Sequence, residues 1–151
     1  MLRAWRCLFM VLLATAAHPA SAQLLIDTVY TWQGYARAGT CHLRIYKTVP
    51  GEERTHAVVI REQAENDGPT TTSDARHLVE LIGRQFDVDP ARAYWVFHWG
   101  AFSFEGAETN RRKELFLRAT FRRNKNQSLG TPSWRVVSRE EVEAYTDRQF
   151  R

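Results

Sequence analysis

Two blocks of alternating apolar and polar residues flank one segment whose apolar residues recur at helical spacing. That change of period restricts the fold more than any other feature of the chain. In Cys41 to Lys47, residues Cys41, Leu43 and Ile45 fall on one side and His42, Arg44 and Tyr46 on the other, the period of two that a strand requires. After Val49-Pro50-Gly51, where Pro presets φ and Gly accepts a positive one, Val58 and Ile60 share a face within His56 to Glu62. The two runs read as an antiparallel hairpin. From Asp74 to Phe86 the pattern changes: Ala75, Leu78, Val79, Ile82 and Phe86 recur at the i, i+3, i+4, i+7 spacing of an amphipathic helix. A hydroxyl from Thr71, Thr72 or Ser73 can cap its start. Gly83 costs this helix about 1 kcal/mol relative to Ala, which predicts a close packing contact there, and Asp89-Pro90 marks the exit.

The flanks extend this frame. Leu24 to Gln33 is rich in Ile, Val, Thr, Tyr and Trp and suits a first strand. Ala93 to Trp99 is apolar on both faces, as a central strand covered on both sides requires. Phe102 and Phe104 continue it past a bend at Gly100. Glu114 to Arg122 alternates, with Leu115, Leu117, Ala119 and Phe121 expected inward and Phe116, Arg118 and Arg122 outward. A polar loop from Asn124 to Pro132 leads to a short strand, Trp134 to Val137. Ser138 and Glu141 then form a capping box, and Val137 with Val142 a hydrophobic staple, so a helix starts at Ser138. The order is βββαββ(β)α. The expected fold is α+β, an antiparallel-rich sheet of about five to six strands packed against one main helix plus a C-terminal helix, with both helices on one face.

The first residues bear on location. Met1 to Ala22 joins a basic start (Arg3, Arg6), an apolar run from Cys7 to Ala17 and a terminal Ala20-Ser21-Ala22. These are the parts of a cleavable secretory signal, and the apolar run is shorter than the roughly 20 residues that cross a bilayer. The expectation is that residues 1–22 are removed and residues 23–151 form one domain, periplasmic or extracellular, without a stable membrane anchor. Removal of Arg3 and Arg6 would lower the formal charge from +4 to +2, which weakens the case for an anionic partner. Cys7 would leave as well, so Cys41 has no intrachain partner in the mature domain. A buried strand cysteine is the expected state, with an intermolecular bridge or reactive thiol as the alternative.

Two stretches carry a resemblance. One runs from Glu65-Asn66-Asp67-Gly68-Pro69 through Asp74-Ala75-Arg76-His77-Leu78 to Phe86-Asp87-Val88-Asp89-Pro90-Ala91-Arg92 and the strand ending in His98. The other is Ser133-Trp134-Arg135 with Ser138-Arg139-Glu140-Glu141-Val142-Glu143. Together they resemble a group of small uncharacterised bacterial proteins over about half of the mature chain. The resemblance agrees with the fold outline and implies no activity.

Motifs for chemistry are sparse. His42, His56, His77 and His98 occur in no zinc-ligand spacing, and the expectation is no metal and no cofactor. His42 and His56 could meet across the hairpin, with Glu62 or Asp67 adding a carboxylate. Cys41 and His42 point to opposite faces of a strand, so a Cys–His nucleophile would need His56, His77 or His98 brought near by the fold. There is no nucleophile elbow, phosphate loop or dinucleotide fingerprint. Paired carboxylates need no local motif, and Glu62, Glu65 and Asp67 are the nearest cluster. No catalytic residue is assigned.

The segment Arg111 to Lys125 holds seven basic residues against one acid, Glu114. Phe116, Arg118, Arg122 and Arg123 are the candidate binding residues, a basic stripe with an aromatic in it. Three functions follow in order of expectation. The first is a non-enzymatic protein-binding module, of inhibitor or immunity type, whose partner is another protein. The second is a hydrolase acting on cell-envelope material. The third is an anionic-polymer binder using residues 111–125.

Overall fold

A parallel pair of strands needs a crossover of a dozen or more residues, and this chain places its main helix there. In the computed structural model, which describes residues 22–34, 38–48, 53–62, 72–102 and 113–146, strand β3 (His56–Glu62) leads through helix α1 (Thr72–Phe86) to strand β4 (Ala93–Phe102), and β3 and β4 run parallel. Strands β1 (Gln23–Gln33) and β2 (Ala38–Lys47) precede this unit, and β5 (Lys113–Thr120), β6 (Ser133–Val137) and helix α2 (Arg139–Tyr145) follow it. The six strands lie in one mixed sheet in the order β1-β2-β3-β4-β5-β6. Every pair other than β3–β4 is antiparallel. The fold is α+β with the expected element order, and β2 and β3 form the expected hairpin.

The helices do not share a face. On one side Cys41, Leu43, Ile45, Val58, Ile60, Trp95 and Phe97 pack with Ala75, Leu78, Val79 and Ile82 of α1. On the other, Tyr46, Ala57, Val59, Tyr94, Val96, Phe116 and Val137 pack with Val142 of α2. The reason lies in β4. Its residues 93 to 98 are buried on both sides, so the second set, Tyr94 and Val96, needs a cover that α1 cannot provide. The expectation of helices on one face is therefore corrected. Phe116, expected outward, faces this second layer and is only 4% exposed.

Local signals acted as their chemistry demands. The Ser138 hydroxyl accepts from the Glu141 N–H at 3.1 Å, and Val137 and Val142 are buried in one cluster. The Glu141 carboxylate, however, does not complete the box. It turns to Arg135 at 2.7 Å and Arg118 at 3.7 Å. Helix α1 ends with Asp87 at φ 54° and a Val88 N–H bond to the Gly83 carbonyl at 3.0 Å, the Schellman closure. A Cβ on Gly83 would meet the Val88 carbonyl oxygen at 2.6 Å and Pro90 Cγ at 3.2 Å. The predicted close contact at Gly83 is this turn folding back over the helix. The side chains expected to cap α1, and Phe104, lie outside the described ones.

Candidate functional site

The expected basic stripe is divided by the fold. Phe116 stacks on His98 with ring centres 4.4 Å apart, and the Arg139 guanidinium lies 5.5 Å over its ring. Arg118, one face position along, has a side chain only 15% exposed. Its guanidinium lies 4.7 Å from the Tyr94 ring centre and 5.9 Å from that of Tyr145, two rings stacked at 4.1 Å. With Glu141 beside it, Arg118 joins the sheet to α2 through cation–π and ionic contacts. Burial, then the nearby Glu141 charge, pushes the Tyr94 phenol well above the ordinary tyrosine range, against the opposing pull of Arg118. Arg122 and Lys125 are exposed beyond the end of β5. Arg111 and Arg112 lie outside the described residues.

Arg123 has a different setting. It follows β5 in a connection held by the Arg123–Leu129 bridge, an Asn124 N–H to Ser128 carbonyl bond of 2.8 Å and a Gln127 N–H to Asn124 carbonyl bond of 2.9 Å. From there its guanidinium donates to Asp89 Oδ1 at 2.9 Å and to the Gln127 carbonyl at 3.1 Å. Asp89 Oδ1 also accepts from the Ala91 N–H at 3.1 Å, which caps the 3-10 turn Pro90–Arg92. Both members of the Arg123–Asp89 pair are more than a third exposed, so the pair fixes position and adds little stability.

Between this connection and the end of α1 lies a groove of about 390 Å³, lined by Glu80, Gly83, Arg84, Asp87, Val88, Asp89, Pro90 and Arg123. Its floor, Gly83, Val88 and Pro90, is apolar and its rim is charged. The Trp95 indole N–H donates to the Pro90 carbonyl at 3.0 Å and braces the turn from below. Three acids face two arginines around the rim, so the groove is near neutral and slightly acidic. Sequence reasoning found Arg123 and Gly83 and missed Glu80, Arg84 and Asp87. Their available signal was a glycine in the helix shortly before an Asp-Pro exit.

The remaining candidates are scattered. Cys41 is 1% exposed on the α1 side of the sheet, and His42 projects from the opposite face. His42 and His56 do not meet: His42 pairs across with Arg61, and His56 with Lys47. His56 bonds the Thr55 hydroxyl at 3.0 Å, and the His77 ring N–H donates to the Gln33 carbonyl at 3.1 Å. His42 Nε2 hydrogen-bonds Asp27 Oδ1 across β1 and β2, and Arg44 Nε lies 3.5 Å from the other carboxylate oxygen. The bond from His42 holds the Asp27 carboxyl below its ordinary value; partial burial opposes it and Arg44 reinforces it. Among the described residues, no three His, Cys, Asp or Glu side chains are grouped to hold a metal ion. No described helix is long and apolar enough to cross a membrane. Glu65 and Asp67 lie outside the described residues, as does the Glu62 side chain. Comparison with protein-family models, curated proteins and solved structures found no match to this chain.

Proposed function

We propose that this chain is an exported, non-enzymatic protein-binding module that takes a polypeptide segment of its partner in the groove at the end of α1. The observation that carries this reading is the groove's make-up: an apolar floor of Gly83, Val88 and Pro90 inside a rim of both charge signs. An apolar side chain of the partner fills the floor while its flanking charges find Glu80, Asp87 and Arg84, the division of labour common to protein interfaces. An anionic polymer needs unopposed positive charge. Here Arg123 is paired with Asp89 and Arg118 with Glu141, which argues for a polypeptide over such a polymer. Export rests on the three-part composition of Met1 to Ala22, and an inhibitor or immunity-type role is the form of binding that suits a small exported domain.

The test is affinity capture from the envelope fraction with wild type and with the double variant Glu80→Lys/Arg84→Glu. The double variant exchanges the charges at positions 80 and 84, four residues apart on one helix face, and leaves the net charge of the groove unchanged. Wild type should retain one stoichiometric protein, and the variant should bind it at least about tenfold more weakly. Equal retention by both, or strong heparin binding that falls steeply with salt, would refute the groove as a polypeptide site. Amino-terminal sequencing of the exported form should begin at Gln23.

A further inference from the structure

We infer that β1 is a pairing edge for a second copy of this chain, joined antiparallel about a two-fold axis at Val29. This surface is separate from the groove, and the inference does not depend on what the groove binds.

Sheet edges in soluble proteins are usually blunted by shortness, lysine, proline or a bulge, because an open edge recruits another strand. The two ends of this sheet differ in this respect. Strand β6 has five residues with Arg135 at its centre. Strand β1 has eleven, QLLIDTVYTWQ, with no Lys, Arg or Pro, and among the described residues it pairs with β2 alone. Its bulge lies at Leu25, near the start, and leaves Ile26 to Gln33 in unbroken register with β2. Its one charge, Asp27, is drawn back over its own sheet by His42 and Arg44 and so does not guard the edge. Leu24, Leu25 and Val29 are 42%, 44% and 64% exposed.

An open edge accepts only a strand, and the strand's own pattern fits itself. A two-fold axis perpendicular to the sheet brings β1 beside a copy of itself, keeps each face with its like and lies midway between the two copies of one residue. An axis at Asp27 sets two carboxylates opposite each other, and one at Thr28 sets Val29 against Asp27. With the axis at Val29, near the middle of the unbroken run, the two most exposed apolar side chains meet. In the same register Ile26 faces Trp32 of the second copy, Thr28 faces its Tyr30, and Asp27 faces its Thr31. Cross-strand pairs of this kind stabilise sheets, and like charges opposite each other do not. The product is one continuous sheet with both α1 helices on the same side.

The test compares Val29→Cys with Val136→Cys, each in a Cys7→Ser background. Both valines are 64% exposed and stand on opposite edges. Directly opposed residues of an antiparallel pair have Cα atoms roughly 4.5–5.5 Å apart, within disulfide range. Mild oxidation should therefore link Val29→Cys into a covalent dimer on a denaturing gel and leave Val136→Cys without a cross-link. By sedimentation the unmodified protein should be a dimer, and Val29→Lys, which opposes two lysines, should associate at least about tenfold more weakly with unchanged circular dichroism. If Val29→Lys fails to fold, the cysteine comparison still decides. A monomeric wild type, equal cross-linking at both positions, or a dimer that survives Val29→Lys would overturn the inference.

Discussion

Replacing Gly83 by alanine sets two physical effects against each other with opposite signs. Helix propensity alone makes Gly83→Ala stabilising by about 1 kcal/mol. The structure adds a collision, because the new Cβ would stand 2.6 Å from the Val88 carbonyl oxygen, and an ordinary carbon–oxygen contact requires a retreat of more than half an ångström or so. The turn that must retreat is anchored several ways. Val88 N–H holds the Gly83 carbonyl, Asp89 caps the following turn and is gripped by Arg123, and the Trp95 indole holds the Pro90 carbonyl. Overpacking against so fixed a backbone costs about 1–3 kcal/mol. The net expectation is destabilisation of about 1 kcal/mol, or a fall of about 4 °C in Tm for a chain of 151 residues. Urea unfolding followed by tryptophan fluorescence, with thermal melts alongside, measures it. Adding Pro90→Ala should not rescue the variant, since the closest clash is with Val88 backbone. A Gly83→Ala protein that melts higher than wild type would show that the turn yields freely, and the reasoning would fail.

Three further expectations follow from the second face of the sheet. Arg118→Ala should cost about 1–2 kcal/mol, because it removes packing and a cation–π contact between sheet and α2, while Arg122→Ala on the exposed chain should stay within about 0.5 kcal/mol; equal effects in urea melts would contradict the placement of Arg118. Tyr94→Phe should stabilise by up to about 1 kcal/mol, since its hydroxyl is buried with no hydrogen-bond partner among the described residues; a clear loss of Tm would mean the hydroxyl is bonded. The depressed Asp27 pKa implies stability that is present above the unfolded value near pH 4 and lost as pH falls through the folded value. Asp27→Asn should therefore be less stable than wild type at neutral pH, with the gap closing below about pH 4; a gap unchanged into acid would refute the assignment.

Much of the fold was legible because it is encoded locally. The alternation in β2, the helical period of α1, the double-sided apolar run of β4 and the Ser138 cap each lie within a few residues of their cause. What was not legible depends on docking at a distance. Alternation in β5 separates Phe116 and Arg118 from Leu115 and Leu117 but cannot say that a helix after β6 will cover the first pair. Ser138 and Glu141 suggest a reciprocal box, and only the approach of Arg118 and Arg135 explains why Glu141 leaves it. The groove joins Asp87 and Arg123, which no local window contains. Gly83 lies between these cases: its cost to the helix was visible in sequence, and the carbonyl that justifies it was not.

The strand order has a consequence for how the chain acquires its structure. Each strand's neighbour in the sheet is also its neighbour in sequence, and the β3–β4 pairing spans the long crossover, with Val59 meeting Val96 across 37 positions. Closing that loop is the entropic step that must come before its contacts can reward it. Once α1, β3 and β4 are together, the others can add outward one at a time, each across a shorter connection. Delivered amino end first, the chain can pair β1 with β2 as soon as residues 34–37 and β2 have followed. The faces of that pair must still wait through the whole crossover for α1 and β4, and during the wait its apolar outer edge would be the segment most open to the wrong partner.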